Sequence, residues 1–413
     1  MIHRGLLRFG LRRVALMFLL ALASPNLTSA EQLPSPVARV MVRFNTKGIT
    51  GTLAEGQADR TSGRPVTADD PVRIASISKM VVAIAVMRLV EQRRLSLDTD
   101  VSSYLGWRLR HPNFPETPIT LRLLLSHRSS ITDEADYQIP LDASLRAKFD
   151  EPKVWDIAHR PGSYFRYTNL NFPVVAAVME KVTGERFDLL MDRLVLRPLG
   201  IQACYNWANC PPEVAARAVV LYDAKGTPLR DDHHGRPPAC GIALLADGSC
   251  DLSRWQAGSS GGAFSPQGGL RISANGLARI GRLLLGRGQL DGVRLLSRQS
   301  VKTMVTPVWT FDGSNGQTAE GEAVPGKAFF CRYGLAVQTL ATRRADCGDD
   351  PFGDGVQRFG HAGEAYSLLS GLWIDPAAGT GVAFYVTGAD MSQPGRRSAF
   401  FRVEEDLLDQ QIP

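Results

Sequence analysis

Arg73-Ile74-Ala75-Ser76-Ile77-Ser78-Lys79 opens the stretch on which the reading of the whole chain turns. Beyond Ser76, Val82, Val86, Leu89 and Val90 recur at spacings of three and four, and Met80, Ile84 and Met87 add a second apolar stripe. That pattern predicts a helix buried on most sides, ending in the charged cluster Glu91-Gln92-Arg93-Arg94. Ser76 and Lys79 stand three apart, so both face one side of it and can meet. A serine hydroxyl is a poor nucleophile until something takes its proton. A lysine base must be largely neutral, and moving its pKa from about 10.4 to about 8 takes roughly 3.3 kcal/mol of desolvation or cationic repulsion. A serine at the helix N-terminus would also have the positive end of the macrodipole beside the charge that develops during attack.

Two further patterns follow in order, Tyr167-Thr168-Asn169 and His361-Ala362-Gly363. A phenol beside a charged Lys79 can lose its own proton, so Tyr167 is an alternative base, and the residues leave the choice between the two open. None of the patterns is specific alone: S-x-x-K turns up by chance in roughly one of every two chains of this composition. Context gives them force. A strand and a turn precede Ser76, a long helix follows it, Tyr167 opens another helix, and His361 stands before a strand hairpin.

The coarse reading is α+β. Val40–Phe44 and Gly51–Leu53 read as a strand pair around Lys47-Gly48, and Leu368–Ile374 with Gly381–Thr387 as a hairpin about Asp375–Gly379. Residues from Thr120 to about Leu199 read as mostly helical, Leu277–Leu284 as a helix, and Arg397–Leu408 as a closing helix. Strands at both ends predict one antiparallel sheet built from both termini with flanking helices. An inserted, mostly helical subdomain at about 95–285 completes the expected arrangement.

Arg4, Arg8, Arg12 and Arg13 precede an apolar run, Val14–Ala23, and Thr28-Ser29-Ala30 offers small residues for cleavage. This predicts a secretory signal peptide at 1–30, leaving 31–413 as the mature domain, periplasmic or secreted. The run is far shorter than the about 20 apolar residues that span a bilayer, so no stable membrane anchor is expected. Arg12-Arg13 hints at twin-arginine export. Without the four leader arginines the formal charge falls from +6 to +2, and no Lys/Arg stripe interleaved with aromatics points to nucleic acid. Six cysteines in an exported chain read as disulfides, with neighbours suggesting Cys204–Cys210, Cys240–Cys250 and Cys331–Cys347. The zinc alternative lacks a C-x-x-C clip.

The chain resembles the class C β-lactamase-like serine hydrolases and their penicillin-binding DD-peptidase and esterase relatives. Beyond the three motifs, the resemblance rests on Thr61–Thr67 leading into Arg73–Lys79, on Ile119-Thr120 with Leu123-Leu124-Leu125-Ser126-His127, and on Gly268-Gly269-Leu270. It covers nearly all of the mature chain. It implies a β-lactamase/transpeptidase-like fold and Ser76 as nucleophile, with Lys79 and Tyr167 as proton-transfer partners. Asn169 would orient Lys79 and contact the acyl side of the substrate, and His361 and Gly363 would line the third wall. The oxyanion hole would use the backbone N–H groups of Ser76 and Glu364. No metal or organic cofactor is implied, and the partner is a small ester, amide or peptide. Two departures stand out. His-Ala-Gly replaces the Lys-Thr-Gly of β-lactamases, removing a fixed cation and a hydroxyl. Glu364 follows it, either repelling anionic substrates in favour of amines or facing solvent and contributing only backbone. The expected activity is therefore esterase or D-amino-acid peptidase/amidase, with β-lactamase and a non-catalytic cell-wall peptide-binding module as alternatives.

Other signals compete. Gly258-Ser259-Ser260-Gly261-Gly262 fits the G-x-S-x-G nucleophile elbow, with His361 and several aspartates after it. No buried strand precedes it and Pro266 follows, so a flexible Gly/Ser loop is expected instead. His127 reads as a structural histidine. Asp231-Asp232-His233-His234 reads as a polar loop, with metal binding the sharper alternative.

Overall fold

The structure is a computed structural model describing residues 36–205, 207–232, 245, 249, 251–319 and 327–412. The leader, the Cys240–Cys250 pair, and His233 and His234 lie outside the described residues.

Among the described residues, nine strands form one antiparallel sheet: β1 (Ala38–Asn45), β2 (Ile49–Asp59), β3 (Arg64–Pro65), β4 (Trp309–Thr310), β5 (Arg332–Tyr333), β6 (Gln338–Leu340), β7 (Arg358–Ala365), β8 (Leu368–Asp375) and β9 (Thr380–Thr387). Their order is β4-β5-β6-β7-β8-β9-β1-β2-β3, so the N-terminal strand sits beside the last one, Ala38 opposite Thr387 and Asn45 opposite Thr380. The strands expected at both chain ends thus do close one sheet.

Alternation along the strands divides the core. Val40, Val42 and Phe44 of β1, Leu372 and Ile374 of β8, and Ala383 and Tyr385 of β9 share one apolar cluster with α1 (Ile77–Glu91) and α3 (Ala274–Leu285). Met41, Trp373, Phe384 and Val386 point the other way and pack with Phe400, Leu407 and Leu408 around the closing helix α4 (Arg402–Leu408). Every residue of β8 is buried because both faces are covered. On α3, a Cβ at Gly281 would come 2.3 Å from the Phe44 ring, so only glycine lets that helix lie so close to the sheet.

α1 is buried from Ile77 through Met87 and again at Leu89, as its double stripe predicts. Two helical readings need correction. Between Ser126 and Leu170 the chain is mostly turns, with short helices at Leu145–Lys148 and Pro152–Val154 and a short strand at Phe165–Arg166, and regular helix resumes only at α2 (Asn171–Thr183). Pro140, Pro152 and Pro161 interrupt that stretch, and Thr132, Asp136 and Asp156 accept from nearby backbone N–H groups in place of helical bonds. The last helix starts at Arg402, not Arg397. The Glu405 side chain reaches back to accept from the backbone N–H groups of Arg396, Arg397 and Ser398 and holds that segment as a loop.

Disulfides join Cys204 to Cys210 and Cys331 to Cys347. Among the described residues, no helix is long and apolar enough to cross a membrane.

Candidate active site

Ser76 is the N-cap residue of α1, half-buried, and the residue before it, Ala75, has φ +49°. A left-handed alanine is strained, and here the strain turns the chain sharply out of the strand at Val72–Arg73 into the helix. Facing this corner is β7. A Cβ at Gly363 would lie 2.5 Å from the Ile74 carbonyl oxygen and 3.1 Å from the Ser76 nitrogen, so glycine is required for the strand to pass this near Ser76. The Ser370 hydroxyl on β8 donates to the Ile74 carbonyl (2.9 Å) and ties sheet to corner.

Lys79 is fully buried one turn into α1. Its Nζ donates to Ser76 Oγ (2.9 Å), Asn169 Oδ1 (2.8 Å) and the Gln267 carbonyl (2.9 Å). Three acceptors match an ammonium. Once a proton is lost, the lone pair is available to the hydroxyl at 2.9 Å. The same nitrogen lies 4.8 Å from the centroid of the Tyr167 ring. That ring is held between His127 (4.3 Å, stacked) and Phe330 (4.8 Å, stacked). Ser76, Lys79, Tyr167 and Asn169 are thus brought together from two distant stretches.

Asn169 is oriented by Asp133. The Asp133 carboxylate accepts from Asn169 N (2.7 Å), Asn169 Nδ2 (3.0 Å) and Leu170 N (2.9 Å), which turns the amide oxygen toward Lys79. Burial raises the Asp133 pKa, although those donors and the Lys79 charge work in the opposite direction. His127 accepts from Thr168 N at Nδ1 (2.9 Å) and so fixes the Tyr167 loop.

On β7 His361 is buried, and the Tyr333 hydroxyl lies 2.7 Å from its Nε2 while Nδ1 faces the Ala362 carbonyl. A carbonyl can only accept, so Nδ1 carries the proton and Nε2 accepts from Tyr333. Burial and the Lys79 charge lower its pKa to about 3. This wall is therefore neutral where a lysine would be a cation. Because the folded pKa lies below the unfolded value, the native state binds fewer protons, and stability is full above about 6.5 and lost as pH falls toward 3. Wild-type protein should lose about 2 kcal/mol more than His361→Gln between pH 6.5 and 5 in urea unfolding. Equal losses would place the charge-sensitive group elsewhere.

Glu364 is exposed at the rim. Ser76, His361, Gly363 and Glu364 line one pocket with Phe329, Phe330, Phe400 and Glu404.

Local packing bears on the competing readings. Ser260 is buried, donates to the Ile139 carbonyl (3.0 Å) and accepts from Gly262 N and Ala263 N. It caps a turn packed on α2, where a Cβ at Gly261 would lie 2.0 Å from the Pro173 carbonyl oxygen. The Gly/Ser loop is closely packed, not flexible. Glu180 secures it by accepting from Gly258 N and Trp255 Nε1 (2.9 Å each). Asp231 pairs with the buried Arg271 (3.3 Å) and accepts from Trp207 Nε1 (3.0 Å), an internal ion pair.

Sequence reasoning missed Asp133, Gln267, Tyr333 and Glu404. Asp133 carried one signal, the first acid after the stretch Ser129-Ser130-Ile131-Thr132 that follows an apolar helix. Gln267 acts through its carbonyl, which no side-chain pattern reveals.

Comparison with known proteins places this geometry. The family model described as Beta-lactamase matches residues 37–405. Esterase EstB of Burkholderia gladioli is 34% identical over 196 residues, 43% of this chain and 48% of that protein. The D-alanyl-D-alanine-carboxypeptidase/endopeptidase AmpH of Escherichia coli K12 is 30% identical over 143 residues, 32% of this chain and 36% of its own length. The chain thus spans about half, or less, of these curated relatives. Among solved structures, the hydrolase EstCE1 superposes with a TM-score of 0.63 at 22% identity, covering 91% of this chain and 94% of that one. D-amino acid amidase from Ochrobactrum anthropi SV3 does so with a TM-score of 0.57 at 18% identity, covering 85% and 87%. At those identities the superpositions show the shared fold.

Proposed function

The chain belongs to the Beta-lactamase family, and from that premise we propose that it is an exported serine hydrolase that cleaves an ester or amide through an acyl-enzyme on Ser76. The observation that carries this reading is the 2.9 Å contact between Lys79 Nζ and Ser76 Oγ, with the amine held in place by Asn169 and Gln267.

The steps follow from the positions. Ser76 Oγ attacks the substrate carbonyl as its proton passes to Lys79, directly or through the Tyr167 phenol. The tetrahedral oxyanion is held by the backbone N–H groups of Ser76 and Glu364, which stabilise charge as it develops. The proton then moves to the leaving alcohol or amine, the C–O or C–N bond breaks, and the acyl group remains on Ser76. Water, deprotonated by the same Lys79/Tyr167 pair, attacks this ester and releases the acid with Ser76 reprotonated.

The third wall favours esters and D-amino-acid amides or peptides over β-lactams. A neutral His361 supplies no charge for the carboxylate of a β-lactam, and Glu364 at the rim repels it. Relatives named as an esterase and a D-alanyl-D-alanine-carboxypeptidase support the same ranking. Export is supported by the leader-like N-terminus and by two disulfides, which persist in oxidising compartments. A panel of p-nitrophenyl esters, D-alanyl p-nitroanilide, D-alanyl peptides and nitrocefin tests the ranking. The expected result is ester or D-alanyl turnover at least about 100-fold above nitrocefin in kcat/KM. Equal or faster nitrocefin hydrolysis would reverse the order, and binding of D-alanyl peptides without any turnover would favour the recognition module.

A further inference from the structure

The pocket beside Ser76 contains a carboxylate that the proposed chemistry does not use. Glu404, on α4, is 3% exposed and lines that pocket with Ser76, Gly363 and the rings of Phe329, Phe330, Phe400 and Phe401. Its Oε2 accepts from Phe401 N (2.9 Å), while no described residue donates to Oε1 and none forms an ion pair with it. Among the described residues, the charged groups that bear on it are acids: Glu364 across the pocket on β7, and Glu405 on its own helix. Glu405 is committed elsewhere, to Ser398 and to the backbone at Arg396–Ser398. A buried carboxylate with a vacant oxygen and no cation is costly to ionise. Aromatic walls around it are the surroundings in which an organic cation is well held, by ring faces and by the carboxylate together.

We propose that this pocket is a subsite for an apolar substrate arm that ends in a cationic amine, with the Glu404 carboxylate as the recognising group and Glu364 reinforcing it at the rim. The assignment deepens the hydrolase reading by naming a substrate class, and it rests on that reading only for the word substrate. The position explains why the amine would be selected: the arm runs from the reacting carbonyl at Ser76 past Gly363, and its far end meets Glu404.

The pocket is also sensitive to pH. Burial first, then Glu364 and Glu405, raise the Glu404 pKa to about 8, against the bond from Phe401 N. His361, the other titratable group in the pocket, stays neutral down to about 3. For Glu405 burial works upward, but its hydrogen bonds outweigh this and keep its pKa low. An alkylammonium resembles lysine and keeps its charge to about pH 10. Between pH 6.5 and 9 the ionised fraction of Glu404 rises from about 3% to about 90%, so amine binding should strengthen by about 10-fold or more.

Calorimetric titration with 2-phenylethylammonium and with 2-phenylethanol, at pH 6.5 and pH 9, tests this on the intact protein. Wild type should bind the ammonium about 10-fold or more tightly at pH 9 and bind the alcohol equally at both. Glu404→Gln, which keeps an oxygen for Phe401 N, should bind the ammonium weakly and without a pH step. Glu364→Gln should weaken ammonium binding yet retain the step. A step that survives in Glu404→Gln overturns the assignment. Wild type decides alone if that variant does not fold: ammonium binding that ignores pH, or an equal step for the alcohol, overturns it too. Fluorophosphonate labelling of the same preparations separates the two readings. Labelled Ser76 without amine selectivity removes the subsite, and amine selectivity without labelling removes the hydrolase.

Discussion

Ser76→Ala is expected to abolish the fluorophosphonate adduct in intact mass and to lower kcat/KM for the best p-nitrophenyl ester by 10⁴-fold or more, on the order of what loss of a serine nucleophile costs elsewhere. Thermal stability should hardly change. Ser76 is half-buried, and Lys79 keeps Asn169 Oδ1 and the Gln267 carbonyl as acceptors. Two controls sharpen the result. Lys79→Met removes a fully buried amine that donates to three acceptors, so activity should fall comparably and stability should fall with it, because the buried acceptors lose their donor. Ser260→Ala should separate the two. It strips the acceptor from Gly262 N and Ala263 N and should destabilise by about 1–3 kcal/mol with activity retained. Full activity in Ser76→Ala, or loss of the adduct in Ser260→Ala, would move the nucleophile and with it the whole reading.

The parts of this molecule that were legible in advance are those in which local chemistry and periodicity agree. α1 announced itself because two apolar stripes occupy nearly all of its circumference, and the helix is buried to match. The β8–β9 hairpin was readable because Asp375–Gly379 is a strong turn between apolar runs. The β7–β8 hairpin escaped notice because Tyr366 and Ser367 form its two-residue turn with φ +56° and +53°, where the usual signal is Asn-Gly. Part of what holds Tyr366 there is distant in sequence: Arg230 and Arg73 lie 4.9 and 5.5 Å from its ring centroid. The same limit applies at the site. Ser76, Lys79, Tyr167 and Asn169 carry reactive groups and can be picked out by type. Tyr333, which fixes the tautomer of His361, is one more aromatic residue until β5 and β7 come close. Glu404 looks like a solvent-facing helix acid until Phe400 and Phe401 close around it.

Asp133 gives the second large effect, and a signature that separates positioning from packing. Its carboxylate is the common acceptor for three donors at the Asn169 corner and so sets which end of the amide meets Lys79. In Asp133→Asn the new NH₂ opposes one or more of those donors, so Asn169 should turn or withdraw. The expected cost is on the order of 10²-fold in kcat with KM little changed, and about 2–4 kcal/mol of stability from buried donors left without an acceptor. Charge adds a second effect of opposite sign. The Lys79 ammonium lowers the Asp133 pKa, and by linkage the Asp133 carboxylate favours the protonated amine. Removing it should let Lys79 lose its proton more easily, moving the acid limb of the kcat/KM–pH profile to lower pH even as the maximum falls. Asn169→Ala should lower kcat similarly but leave that limb nearer its wild-type position, because the carboxylate remains. If both variants shift the limb equally, or neither does, Asp133 supports the corner by packing alone. A base other than Lys79, the Tyr167 phenol foremost, would then control the acid limb.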